Sequence, residues 1–358
     1  MRTLRTLFPA LLLLTIVCLL ISCSKKSLQP MTHPIASSIQ QPPFLQPGDR
    51  VALISPAYFT PMDNVLRTAD LLRSWNLEPL IGPNVGKSFA GEYAGTVAER
   101  LADIRWALAD SSIKAVICNR GGYGTIHLID SLPPSLWASH PKWLVGFSDI
   151  TTLHGLLSNA RVPSLHATMS SFLALGGNDS SSLLLRDLLF GSLPLYQLPP
   201  HPLNVTGKAS GILVGGNLST LSANLHTPAD PTTSDSLVLF IEDVEETMHN
   251  IDRQFTLLLR AGVLDRCSAV ILGQFTDCND EFSFPSPEAM LLQYLQAYNI
   301  PVLCGFPAGH GSPNLPLLLG SPVSLEVRPD GSSLQFLLPS PDTRTVVVPD
   351  SPQPPISQ

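Results

Sequence analysis

The stretch KWLVGFSDITTLHG, Lys142 to Gly155, is the one whose reading decides the fold. Trp143, Leu144 and Val145 form an unbroken apolar run, as a parallel strand buried on both faces does. Gly146 closes that run, and a helix-like stretch begins a few residues later. Ser148 stands at the joint. A serine there has two readings: a nucleophile lifted on a tight strand-to-helix turn, or the cap of the helix that begins at Asp149. Ile150 occupies the place where the G-x-S-x-G elbow carries its second glycine, so the pentapeptide alone leaves both open.

Working outward, the same alternation repeats. Val51–Pro56 is an apolar run closed by proline, and Met62–Trp75 carries Val65, Leu66, Ala69, Leu71 and Leu72 at helical spacing. Leu77–Ile81 reads as a strand, Val97–Ala109 as a helix, Lys114–Arg120 as a strand and Lys142–Phe147 as another. Strand, helix, strand, helix is the pattern of a parallel sheet with helices on both faces. Ligands then bind beyond the carboxyl ends of the strands, where Ser148 and the turn RGGYG (Arg120 to Gly124) both fall. The expected N-terminal α/β domain spans 47–175. A Ser- and Pro-rich stretch at 176–204 reads as a connection to a second, mixed α/β domain at 205–340. That second unit has strands near Ile212, Leu237, Ala269 and Val302, helices at Ile251–Ala261 and Pro287–Tyr298, and a hairpin around Pro329-Asp330-Gly331. The Pro-laden end, 341–358, reads as a loose tail.

With 358 residues, 44% hydrophobic and 14% charged, the chain has the composition of a globular protein. A net charge of −7 with no basic block argues against nucleic acid as a partner. Residues 1–22 carry Arg2 and Arg5, then an apolar run, and read as a signal peptide. Leu20-Ile21-Ser22-Cys23 resembles a bacterial lipobox, which makes Cys23 the expected lipid attachment point and 23–46 a flexible tether. The expected location is the cell envelope, facing the periplasm, on the outer membrane in preference to the inner. Cys118, Cys267, Cys278 and Cys304 show no metal-binding spacing, so neither a metal nor any other cofactor is expected. Pairing of Cys267 with Cys278 stays open.

Four motifs carry candidate chemistry. A serine hydroxyl needs a neighbouring base, commonly a histidine oriented by a carboxylate. Gly121 and Gly122, adjacent after a strand, can aim backbone N–H groups at an oxyanion. FIEDVEE (Phe240 to Glu246) ends an apolar strand in Glu242, with Asp243 as the competing carboxylate. His310, between two glycines in GFPAGHGSPNLP, has the best loop context among the histidines, with His154 and His166 as rivals closer to Ser148 in sequence.

Together GDRVALISPA, RGGYG, GFSDIT, GGNLS, FIEDVEE with IDR, and GHGSPNLP resemble, in order, the motifs of the LD-carboxypeptidases, which include the microcin-immunity peptidases. The resemblance runs from about Pro47 to about Pro339. It implies an N-terminal domain similar to class I glutamine amidotransferases joined to a smaller C-terminal domain. It also implies Ser148 as nucleophile with Glu242 and His310 completing a triad. The oxyanion would meet the N–H of Asp149 and one from Gly121-Gly122, and Arg120 is the candidate for a terminal carboxylate. The implied reaction is release of D-alanine from a murein tetrapeptide. Alternatives are a lipid-anchored binding protein without catalysis and a microcin-immunity-like peptidase; a homodimer is left open.

Overall fold

The structure, a computed structural model, describes residues 39–278 and 284–349. The expected signal peptide and Cys23 lie outside the described residues. Five parallel strands form the first sheet: β1 (Arg50–Ile54), β2 (Glu78–Ile81), β3 (Ile113–Cys118), β4 (Trp143–Gly146) and β5 (Ser164–His166). The second sheet begins with β6 (Ser192–Leu198), β7 (Gly207–Asn217), β8 (Leu237–Val244), β9 (Cys267–Thr276) and β10 (Val302–Leu303). Then β11 (Leu317–Leu319) returns to the first sheet, antiparallel to β5. Finally β12 (Pro322–Arg328), β13 (Gly331–Phe336) and β14 (Asp342–Val347) complete the second.

Strand order in the first sheet is β11-β5-β4-β3-β1-β2. The chain leaves β1 for β2 on one side and then crosses to β3 on the other. The carboxyl ends of β1 and β3 therefore flank the crevice where such sheets take ligands. In the second sheet the order is β10-β9-β8-β7-β12-β13-β6-β14, with β7 to β10 parallel and the predicted hairpin β12–β13 antiparallel.

Alternation along the strands explains the layers, since successive side chains point to opposite faces. Val51, Leu53, Ala115, Ile117, Trp143 and Val145 share one apolar cluster with Leu213, Val238, Phe240, Ala269 and Ile271 of the second sheet. Their neighbours Ala52, Ile54, Val116, Cys118 and Leu144 face the other way, packing with Leu101, Ile104 and Leu108 of helix α1 (Val97–Ala109) and with Leu153, Leu156 and Leu157 of α2 (Thr151–Asn159). Leu239, Ile241, Val270 and Leu272 meet Ile251, Phe255 and Leu258 from a helix over Met248–Arg260.

Three segments depart from expectation. The tether does not extend to residue 46. Phe44 stacks on Trp143 with centroids 5.6 Å apart, Trp143 Nε1 donates to the Pro43 carbonyl at 2.8 Å, and Leu45 is fully buried. The stretch 176–204 holds a helix, Ser180–Leu189, whose Leu185, Leu188 and Leu189 enter the main cluster, and strand β6. Its serines and Pro194 read as loop chemistry, but Asp179 caps the helix by accepting the Ser182 N–H at 3.1 Å. The tail likewise supplies β14, paired in parallel with β6. The four cysteines 118, 267, 278 and 304 are free and buried, so Cys267 and Cys278 do not pair.

Candidate active site

Ser148 lies at the carboxyl end of β4. Phe147 is extended (φ −152°, ψ −173°) and Ser148 then turns into the left-handed region at φ +65°. A non-glycine residue there stores on the order of 1–3 kcal/mol, a cost met where the surroundings over-determine the backbone. The capping reading does not survive, because neither the turn at Ser148–Ile150 nor the helix after it has a side-chain cap. The hydroxyl is left for other work.

The surroundings that hold this turn are buried and polar. The Asp149 carboxylate accepts the Thr125 N–H at 2.9 Å, and its carbonyl accepts the Thr125 hydroxyl at 2.6 Å. Burial raises the Asp149 carboxyl above its usual range, against the opposing pull of the Thr125 hydrogen bonds and the Arg100 charge. Arg100, on α1 but buried, donates from Nη1 to the Pro56 and Gly124 carbonyls, each at 2.8 Å. Asp149 and Arg100 thus tie both ends of the crevice to the serine turn. A Cβ added at Gly121 would lie 2.9 Å from the Ser148 Cβ, and one at Gly122 would lie 2.2 Å from the Tyr58 ring. Glycine is required at both places for that close approach. Arg120 is exposed, its guanidinium over the Tyr58 ring at 5.8 Å.

On the facing sheet, Glu242 lies on β8 and is fully buried, accepting from His310 Nδ1 at 2.7 Å. Burial raises the Glu242 carboxyl, and the imidazole opposes that shift. For His310, burial works to lower the pKa, but the charge and hydrogen bond of Glu242 outweigh it and leave the imidazole raised above its ordinary value. Asp243, the competitor, points to the opposite side of the strand. It accepts from Asn217 Nδ2 at 2.7 Å and from the Ser219 N–H and hydroxyl at 3.0 and 2.8 Å, which commits it to structure.

His310 rides on a loop between β10 and β11 with no regular structure of its own. Gln274 at the end of β9 clasps it, accepting the Gly311 N–H at 2.9 Å and donating to the Pro313 carbonyl at 3.0 Å. Asn314 accepts the Gly309 N–H at 3.1 Å. A Cβ at Gly309 (φ +142°) would lie 2.9 Å from the Glu242 carboxylate, so the loop approaches the acid only as glycine.

The two halves meet at Phe147. Its ring is edge-on to the His310 imidazole, with centroids 4.9 Å apart, which sets His310 beside the residue that precedes Ser148. Thr151 links the lobes a second time by accepting the Asn217 N–H at 3.0 Å. No hydrogen bond joins Ser148 Oγ to His310, whose Nδ1 is taken by Glu242; catalytic hydrogen bonds of this kind commonly tighten only around a bound substrate. The rival histidines are accounted for otherwise. His154 bridges the Ser164 hydroxyl and the Gly146 carbonyl, and burial pushes it down to about 4. His166 is fully buried between Phe147 and Phe240 and is held well below its usual range by burial.

Sequence reasoning missed Arg100, Thr125, Gln274 and Asn314. Arg100 falls in a helix where a charge reads as solvated, Thr125 and Gln274 act through hydrogen bonds to distant turns, and Asn314 acts by closing its own loop on Gly309. Among the described residues no cluster of His, Cys, Asp and Glu is arranged to hold a metal ion.

Residues 51–167 match the LD-carboxypeptidase N-terminal domain, and residues 210–325 match the LD-carboxypeptidase C-terminal domain. The murein tetrapeptide carboxypeptidase of Pseudomonas aeruginosa is 32% identical over 301 residues, covering 78% of this chain and 94% of that protein. The microcin C7 self-immunity protein MccF of Escherichia coli is 25% identical over 321 residues, covering 78% and 91%. Among solved structures, muramoyltetrapeptide carboxypeptidase from Oxalobacter formigenes superposes with a TM-score of 0.73 at 26% identity, covering 80% of this chain and 98% of that one.

Proposed function

The chain belongs to the LD-carboxypeptidase family of serine-type peptidases, and from that membership we propose that it releases the terminal D-alanine of a murein tetrapeptide through Ser148, His310 and Glu242. One observation carries the assignment: a buried Glu242–His310 pair at 2.7 Å stands beside a serine held in the left-handed region. A buried carboxylate is costly unless partnered, and a strained serine is retained where function needs it.

In the proposed reaction His310 Nε2 takes the proton from Ser148 Oγ, which bonds to the amide carbonyl carbon. Glu242 fixes the proton on Nδ1 and stabilises the imidazolium. The oxyanion is met by the N–H of Asp149, second in the Ser148–Ile150 turn and so among the opening N–H groups that have no intrahelical partner, and by an N–H of the Gly121-Gly122 turn. Each donor of this kind contributes about 3–4 kcal/mol. The proton then passes to the departing amine as the C–N bond breaks, and water hydrolyses the acyl-enzyme. Arg120, exposed at the start of the Gly121-Gly122 turn, is the candidate to meet the terminal carboxylate.

Incubating the chain with an LD-tetrapeptide should yield free D-alanine; no release by the wild type, or equal release by Ser148→Ala, rejects the scheme. The similarity to the microcin self-immunity protein favours one second reading, the same residues acting on a peptidyl nucleotide, which nucleotide release from such a conjugate would reveal. We also assign Cys23 as the lipid attachment point of a periplasm-facing lipoprotein. Radioactive palmitate should label the wild type and not Cys23→Ser.

A further inference from the structure

A cavity of about 450 Å³ opens beside His310. Its walls include Phe147, Thr168, Phe172, Leu175, Gly309 and His310, and no Lys or Arg lines it. Two of the walls are large apolar side chains left in contact with solvent, Phe172 at 46% exposure and Leu175 at 83%. Its one acid, Asp179, is already committed to the Ser182 N–H and hydroxyl.

The position of His310 says which part of a substrate belongs there. Nδ1 is bound to Glu242, so Nε2 is the nitrogen that exchanges protons. The amine that departs must come within about 3 Å of Nε2 to receive its proton. The atoms attached to that nitrogen belong to the released residue, and they therefore fall on the His310 side, where the cavity begins. The acyl carbon stays at Ser148, with its oxygen turned to the N–H groups of the Gly121-Gly122 turn.

Resting on the serine-carboxypeptidase reading, we propose that this cavity is the leaving-group subsite and that it accepts D-residues with bulky apolar side chains. Its volume is in the class that encloses a whole small ligand, and a methyl group leaves most of it unused. Exposed apolar walls next to a reactive group are a binding surface waiting for apolar contact. With no cation in the walls, a carboxylate there meets only neutral donors such as Asn178 and Ser312, and the apolar surfaces of Phe147, Phe172 and Leu175 are left for the side chain. The bond chemistry is unchanged: the C–N bond of the terminal residue breaks, a C–O bond to Ser148 forms, and one proton moves from the hydroxyl through His310 to the amine.

The test is a series of LD-tetrapeptides that differ only in the fourth residue: D-alanine, D-methionine and D-phenylalanine. The wild type should cleave the D-methionine and D-phenylalanine peptides with kcat/KM equal to or above that of the D-alanine peptide. In Phe172→Ala the ratio of D-phenylalanine to D-alanine kcat/KM should fall about tenfold, the loss expected for a partly buried aromatic contact. As a second measurement on the wild type, free D-phenylalanine should inhibit more strongly than free D-alanine. A thirtyfold or greater preference for the D-alanine peptide, an unchanged ratio in Phe172→Ala, or equal inhibition by the two amino acids overturns the proposal and leaves the reaction class standing. Failure to cleave any peptide of the series removes both.

Discussion

The serine turn and the histidine loop are two ways of holding a side chain still. Around Ser148 the work is done by backbone: a left-handed φ, two glycines that admit close approach, and a carboxylate at Asp149 that grips the neighbouring turn. Around His310 it is done by side chains borrowed from elsewhere. Glu242 lies 68 residues away in sequence, Gln274 comes from the end of β9, and Asn314 closes the loop on itself. The first is a rigid local device, and the second is a loop pinned at a few points. Steric changes should therefore damage the serine side most, and deletion of single hydrogen bonds should damage the histidine side.

That contrast can be broken by experiment. Ser148→Ala should cut kcat/KM for an LD-tetrapeptide by on the order of 10⁵ or more, as loss of a triad nucleophile does elsewhere. A smaller drop means that the hydroxyl is not the reacting group. Glu242→Gln keeps the shape and should cost about 10⁴ in kcat, because the imidazole loses its oriented tautomer. Gly121→Ala places a methyl group against Ser148 and should cost roughly 10² to 10³ in kcat, the range for a disturbed oxyanion donor. Gln274→Ala should act through position alone, lowering kcat about 10- to 100-fold, while circular dichroism stays native. If Gln274→Ala proved worse than Gly121→Ala, the division between rigid and pinned halves would be wrong.

The pH profile sharpens the same contrast with a smaller effect. In the proposed reaction His310 must be neutral to accept the serine proton, and Glu242 holds its pKa above the ordinary value of about 6.5. Activity should therefore fall on acidification with a midpoint above about 6.5, as the imidazole takes up a proton and can no longer act as base. In Glu242→Gln the raising charge is gone and burial remains, so the midpoint of the residual activity should move down. A midpoint that does not move would separate the acidic limb from His310.

Much of the serine half was legible in the chain. The run Trp143–Gly146 followed by Ser148 gave the strand and the turn, and RGGYG marked the facing loop at the end of β3. The hairpin followed from its Pro-Asp-Gly turn, and the structure adds the register, in which Arg328 pairs with Gly331 across Pro329-Asp330. Where composition misled, the cause was context. Phe44 and Leu45 read as tether because prolines surround them, yet the Trp143 ring stacks on Phe44 and its N–H holds the Pro43 carbonyl, which fixes the segment. Ser180–Leu189 hid behind three serines, and β14 hid in a Pro-rich end because pairing with β6 leaves no local mark.

What the sequence determined alone was the set of parts: two alternating apolar patterns, a serine at a strand end, an acid at another, and a histidine between glycines. Those signals are local, since period, turn chemistry and strand ends are written within a few neighbouring residues. Only the tertiary structure decided that Glu242, and not Asp243, meets His310, since one residue along a strand reverses the face on which a side chain emerges. It also decided between His310 and its nearer rivals, because two sheets packed through a common core bring positions far apart in sequence to one crevice, and buried His154 and His166 are spent in the packing.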